Sequence, residues 1–234
     1  MKKFSGAVLL SIVTLFTQAQ LASGQTTLAQ WTFELNPPAD LNNSTTISSI
    51  LADVGTGTAS GLHADSATDW TTPVGNGSAN SLNANTWAVG DYFQFSLSTL
   101  GHFGIGVTFD QTSSGTGPRD FSLDYSTDGV AFTSAGNYTV LANGASPLSS
   151  WSSGTYQSGY TFTFDLSSIA ALDNATTVYF RLVNTSTVSA NGGTVAAGGT
   201  SRVDNFTVSV VPEPSAFALI GGFGILALIK RRRA

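Results

Sequence analysis

The chain has 234 residues, only 10% of them charged, and no cysteine, which excludes disulfides, thiolate metal sites and cysteine catalysis. Six of its nine basic residues (Lys2, Lys3, Lys230, Arg231, Arg232 and Arg233) sit at the two ends, leaving Arg119, Arg181 and Arg202 against thirteen carboxylates between residues 25 and 211. A surface so poor in cations repels phosphate backbones and excludes nucleic acid as a partner, while fifteen phenylalanines argue for a packed core rather than disorder.

Residues 1–24 read as a secretory signal peptide. Lys2 and Lys3 precede an apolar run over 7–16, and the small residues Ala22 and Gly24 lead into a polar exit at Gln25. Export through the Sec translocon and removal by signal peptidase follow from that pattern.

Beyond Gln25 the apolar residues alternate with polar ones in short runs separated by turn-rich stretches. This predicts strands over 30–35, 92–97, 103–110, 120–126, 131–134, 160–166, 177–183 and 202–210. Phe121, Leu123 and Tyr125 share one face of their strand. Strict alternation in the last strand places Val203, Asn205 and Thr207 on one face and Asp204, Phe206 and Val208 on the other. Asp128-Gly129 is a hairpin turn, residues 167–172 suggest a single helical turn, and 36–90 shows no clear period. Eight short strands over residues 25–210 predict an all-β fold, an antiparallel, jelly-roll-like β-sandwich.

The tail, 211–234, has three parts. Pro212-Glu213-Pro214 ends the last strand, because proline lacks an N–H and holds its predecessor extended. An uncharged run of 14 residues, 216–229, follows, and Lys230, Arg231, Arg232 and Arg233 form a basic cluster. As a helix the run is about 21 Å long, against a hydrocarbon core of about 30 Å. The expectation is a short transmembrane helix with its cations on the cytoplasmic side. Gly222 and Gly224 fit a dinucleotide-binding spacing, but no βαβ unit can follow them.

This order of Pro-Glu-Pro, short apolar helix and basic end resembles the PEP-CTERM sorting signal. The resemblance implies an exosortase as partner, cleavage near the motif, only transient anchoring in the inner membrane, and a destination at the cell surface or in an exopolysaccharide matrix. Residues 117–129, 179–183 and 201–208 also resemble the lectin-like jelly-roll ectodomains joined to such tails. That likeness implies a sandwich and leaves the ligand open. Related carbohydrate-binding jelly rolls hold a structural calcium between first and last strands, where Glu34 and Asp204 fall. The other reading of these two is solvent-facing strand residues, with Asp204 pairing with Arg202 or Arg181.

No catalytic set assembles. His63 and His102 lack zinc-site spacing and read as surface or loop residues. Asp120 and Asp124 lie about 13 Å apart on one strand face, too far for a glycosidase pair. Trp70, Trp87 and Trp151 read as exposed; Trp87 and Trp151 are the candidates for stacking on a sugar, and the alternative places these rings in the core. Together these features point to an exported, non-enzymatic cell-surface or matrix protein, processed by an exosortase and associated with exopolysaccharide or biofilm. Its alternatives are a carbohydrate-binding module with a defined glycan ligand and a hydrolase of polysaccharides or esters.

Overall fold

The computed structural model describes residues 25–211. The predicted signal segment, the Pro212-Glu213-Pro214 motif, the apolar run and the basic cluster lie outside the described residues. Among the described residues no helix is long and apolar enough to cross a membrane.

In chain order the strands are β1 (Thr26–Trp31), β2 (Thr46–Leu51), β3 (Val54–Gly55), β4 (Gly57–Leu62), β5 (Trp70–Thr71), β6 (Leu82–Ala84) and β7 (Tyr92–Leu97). They continue with β8 (Ile105–Ser113), β9 (Asp120–Ser126), β10 (Thr133–Thr139), β11 (Thr161–Asp165), β12 (Val178–Asn184) and β13 (Ser201–Val210). Single 3₁₀ turns occur at Ser158–Tyr160 and Ala170–Leu172. One sheet runs β11-β8-β13-β1-β3, extended by β6 on β13 and β5 on β6; the other runs β10-β9-β12-β7-β4-β2. All pairings between these strands are antiparallel, so the predicted β-sandwich is the observed architecture.

The inward faces make one continuous aromatic core. From the seven-stranded sheet come Trp31, Phe109, Val203, Phe206 and Val208; from the six-stranded sheet come Phe93, Phe95, Phe121, Leu123 and Phe180. The two layers meet where Phe95 and Phe206 stack with centroids 3.6 Å apart, and Trp31 presents its ring at a steep angle to both, at 5.2 and 5.9 Å. Such offset and edge-on contacts add about 0.5–1.5 kcal/mol per pair beyond the area they bury.

Most predicted strands stand with their ends shifted by a few residues. The first does not: β1 ends at Trp31, because Phe33 takes a positive φ of 60° and turns the chain out of the sheet. The region without a readable period holds five strands, β2 to β6.

The decisive irregularity is in β13. Its alternation breaks at a bulge between Asp204 and Thr207, with Asn205 at φ 53°. Val203, Phe206 and Val208 are therefore all fully buried on the core side, whereas strict alternation separated Val203 from the other two. The bulge falls where β13 changes its neighbour on one side: β6 pairs with Ser201–Val203, and β1 pairs with Phe206–Val210. Asp204 and Asn205 are left without a strand partner on that side.

Candidate functional site

The loop between β5 and β6 fills the gap in the ladder. The Asn76 amide and the Ser78 hydroxyl donate to Asp204 Oδ2 at 2.8 and 2.6 Å, and the Asn205 amide donates to Asp204 Oδ1 at 2.7 Å. Asp204 is fully buried. Burial pushes its carboxyl up to about 7, with Asp110 adding to the rise, while the hydrogen bonds from Ser78, Asn76 and Asn205 pull it down.

Asn205 turns its side chain towards β8, where Nδ2 donates to Asp110 Oδ2 at 2.8 Å. Asp110 Oδ1 accepts from the Thr161 hydroxyl at 2.6 Å, and Thr161 and Tyr156 share a further hydroxyl contact of 2.6 Å. A chain of hydrogen bonds thus runs from Asp204 to the phenol of Tyr156.

Tyr156 is held from the other side as well. Asn76, itself 2% exposed, donates through Nδ2 to Gln157 O at 3.0 Å and accepts from Gln157 N at 2.8 Å. The Gly77 amide donates to Ser152 O, and Gly77 has φ 81° with the Tyr156 backbone directly over it; a Cβ there would press on that backbone at 3.0–3.1 Å.

The result is a cleft of about 390 Å³ on the outer face of the seven-stranded sheet. Its floor is a row across three strands, Gln30 on β1, Thr207 on β13 and Thr108 on β8, which sit opposite one another in register. Asp110, Thr161 and Asn205 continue the floor, and Asn76 to Ser78 with Tyr156 form the rim. Tyr156 is 54% exposed and is the one aromatic at this cleft. Chemically it is a polar trough with a single tethered ring beside it. The carboxylates of Asp110 and Asp204 are 1% and 0% exposed and engaged by N–H and O–H donors, an arrangement that holds structure rather than delivering protons to a substrate.

The predicted site residues fare differently. Glu34 and Asp204 do reach the same loop, but separately: Glu34 is exposed and accepts from the Asn80 amide through Oε1 at 2.8 Å, whereas Asp204 holds Asn76 and Ser78. Calcium takes six to eight oxygens. Both Asp204 oxygens already face donors, and no group of three or more His, Cys, Asp or Glu gathers among the described residues, so this donor set does not fit a calcium shell. The expected calcium pair is a loop clamp.

The tryptophans are not exposed. Trp70 is fully buried, and Trp87, at 6% exposure, meets His63, Phe93 and Phe121 at 4.3, 5.0 and 5.5 Å and donates its indole N–H to Ala84 O. Trp151, at 4%, lies against Tyr160 and below the Arg202 guanidinium. Trp87 shows only its 6% exposed margin to a pocket of about 520 Å³ that Asp65, Thr86 and Ala196 also line, Trp151 is covered by Arg202, and the core reading replaces the stacking one. His63 also moves inside, at 1% exposure, where burial lowers its pKa to about 4 although the nearby Asn85 backbone and the charge of Asp65 oppose the shift. Tyr156, Asn76 and Asp110 escaped the sequence reading. The legible trace of Tyr156 is a lone aromatic in the Gly- and Ser-rich stretch 152–159.

No protein-family model matches the sequence, and no curated protein matches it. Among solved structures, the K1 cleaved adhesin domain of Lys-gingipain from Porphyromonas gingivalis W83 is similar at 13% identity and a TM-score of 0.41, over 78% of this chain and 98% of that one. The CBM22-2 xylan-binding domain of Paenibacillus barcinonensis Xyn10C is similar at 11% identity and a TM-score of 0.41, over 79% and 99%. TmCBM61, solved with β-1,4-galactotriose, is similar at 12% identity and a TM-score of 0.36, over 76% and 92%. At such identities the ligands of those domains do not transfer to this chain.

Proposed function

We propose that residues 25–211 form a non-catalytic glycan-binding domain of an exported surface protein, with the Tyr156 cleft as its binding face. The carrying observation is the pairing of a half-exposed, hydroxyl-tethered ring with a floor of amides and hydroxyls. A pyranose presents an apolar C–H face and an equatorial rim of hydroxyls, which match a tyrosine ring and a Gln/Thr/Asn floor respectively. Holding Tyr156 in place beforehand, through Thr161 and Gln157, lowers the ordering cost of capture.

Delivery is the second half of the proposal. The signal-like segment 1–24 and the tripartite tail support export followed by exosortase processing at Pro212-Glu213-Pro214, which places the domain at the cell surface or in an exopolysaccharide matrix.

The binding half is tested by titrating the full chain with neutral oligosaccharides derived from xylan, galactan and glucan. At least one binds the wild type, and Tyr156→Ala weakens it by about tenfold, the 1–3 kcal/mol of one lost stacking contact, without lowering the melting temperature. Absence of any binding, or equal binding by Tyr156→Ala, would reject it. For the delivery half, mass spectrometry of the protein from its host finds a C-terminus near residues 212–214; an intact Ala234 end on the mature surface protein rejects it.

A further inference from the structure

A second pocket, of about 220 Å³, opens on the same sheet face beside the first, at the start of β13. Its base is a row in register across four strands: Thr71 on β5, Asn83 on β6, Arg202 on β13 and Thr112 on β8. Pro73, Ser114, Asn143 and Thr200 complete the wall, and no carboxylate of the described residues lines it. The loops carrying Asn76 and Gln157, joined by two hydrogen bonds, belong to the neighbouring cleft, whose Asn205 lies three residues along the same strand from Arg202.

The three arginines of the described residues are used differently. Arg119 pairs with Asp120 at 2.8 Å. Arg181 lies between the rings of Tyr92 and Phe132, at 3.9 and 3.6 Å, and donates Nε to Gln94. Arg202 lines an open pocket. It donates Nη1 to Val74 O at 3.0 Å, its guanidinium lies 5.1 Å from the Trp151 ring, and among the described residues no carboxylate comes within ion-pairing distance. A guanidinium has five N–H donors in a planar fork, and one is spoken for.

Three of the lining residues keep a donor to spare, while Thr112 spends its hydroxyl proton on Leu141 O. Thr71 Oγ1 accepts from Asn83 Nδ2, Ser114 Oγ accepts from the Thr200 amide, and Asn143 Oδ1 accepts from the Trp151 amide. Each is left with its own proton-bearing group, two hydroxyls and one amide NH₂, without an acceptor among the described residues. A partly desolvated cation with three spare donors beside it is complementary to an anion, and the planar fork matches a carboxylate. Burial lowers the Arg202 pKa, with Tyr160 and Asp204 opposing.

We propose that the Arg202 pocket binds the carboxylate of a uronate residue, so that the domain's ligand is an acidic glycan. This rests on the glycan-binding reading of the adjacent cleft. The pocket lies below the roughly 300 Å³ at which cavities take drug-sized ligands, which suits one anionic group and part of its ring. The excess of carboxylates elsewhere on the domain does not cancel the pocket, since charges are screened beyond about 8 Å at physiological ionic strength.

The test uses small probes that read this pocket alone. The full chain is titrated with the methyl glycosides of galacturonate, galactose and galactose 6-sulfate, following backbone NMR shifts at Arg202 and Asn143. Galacturonate binds there and galactose does not. Arg202→Gln weakens galacturonate by at least about tenfold, as expected for a charge-assisted fork. Asn143→Asp, which keeps an acceptor for the Trp151 amide while adding a negative charge, weakens it by a similar factor. Both variants retain the wild-type affinity for neutral oligosaccharides at the Tyr156 cleft. Equal binding of galactose and galacturonate, stronger binding of the sulfate ester, or galacturonate binding indifferent to both substitutions overturns the proposal. Galacturonate binding that persists while every neutral oligosaccharide fails would reject the Tyr156 cleft and leave this pocket standing.

Discussion

Asn76 and Asp204 lie 128 positions apart in the sequence, yet the Asn76 amide donates to the Asp204 carboxylate at 2.8 Å and the Asn76 side chain clasps Gln157 in both directions. One asparagine therefore ties a loop, a strand bulge and the segment bearing Tyr156 into a single wall.

Replacing Asn76 by alanine removes both side-chain bonds, leaving the Gln157 N–H unpaired and its C=O with only the Tyr160 amide at 3.3 Å. The expected loss is about 1–3 kcal/mol in denaturant unfolding. Amide protection around residues 155–158 should fall by more than the global loss, because the wall opens locally. Uniform loss across the domain would contradict the keystone role.

Phe206 is fully buried and stacked on Phe95, so Phe206→Ala is expected to cost about 3–5 kcal/mol. Tyr156→Ala, at a half-exposed position, should stay within about 0.5 kcal/mol of wild type. The contrast is measured by urea unfolding of the two variants side by side.

Trp87→Ala and Trp151→Ala distinguish core from platform. Both rings are buried, so each variant should lose about 3–5 kcal/mol of stability. A variant that melted like wild type while losing glycan affinity would restore the stacking reading for that residue.

Asp204 and His63 set opposing pH dependences. With the folded Asp204 carboxyl at about 7 and an unfolded value of 3.8, the folded state holds the extra proton between those limits, so stability falls as pH rises through this window. With His63 at about 4 folded and 6.5 unfolded, the unfolded state holds the extra proton, so stability rises with pH from 4 to 6.5. Each slope is up to about 1.4 kcal/mol per pH unit, and these two contributions oppose one another between pH 4.5 and 6.5, a window read from the two values above. Asp204→Asn removes one of them, and its melting temperature should then drop on acidification across the same range. Parallel wild-type and variant curves would contradict the assignment.

The fold was legible where strands follow period two with large side chains on one face, as in Tyr92–Leu97 and Asp120–Ser126. It was illegible in β2 and β4 for two physical reasons. In β2, Ser49 at φ 63° breaks the register between Ile47 and Ile50, so the two buried isoleucines are three apart. In β4, Gly57 and Gly61 stand against the rings of Trp31 and Trp70, so the core side of the strand is marked by the absence of side chains. Asp204 was legible as a candidate only through the resemblance to calcium-holding jelly rolls, which picks out a carboxylate on the last strand. Its true partners came from loops that no local pattern connects to it, and alternation alone could not see that the bulge puts Asp204 and Asn205 side by side on the loop side. The tryptophans misled because a large aromatic in a Ser- and Gly-rich loop looks solvent-facing until its cover is known.

The bulged strand has a mechanical consequence. β13 carries Arg202, Asp204 and Asn205 near its start and delivers the chain at Val211 towards the remaining residues, with β8 alongside throughout and β1 along its second half. A load applied between the loops at its start and Val211 would therefore travel straight down this one strand. Both neighbours resist along its axis, so their hydrogen bonds share the load in shear instead of yielding one after another.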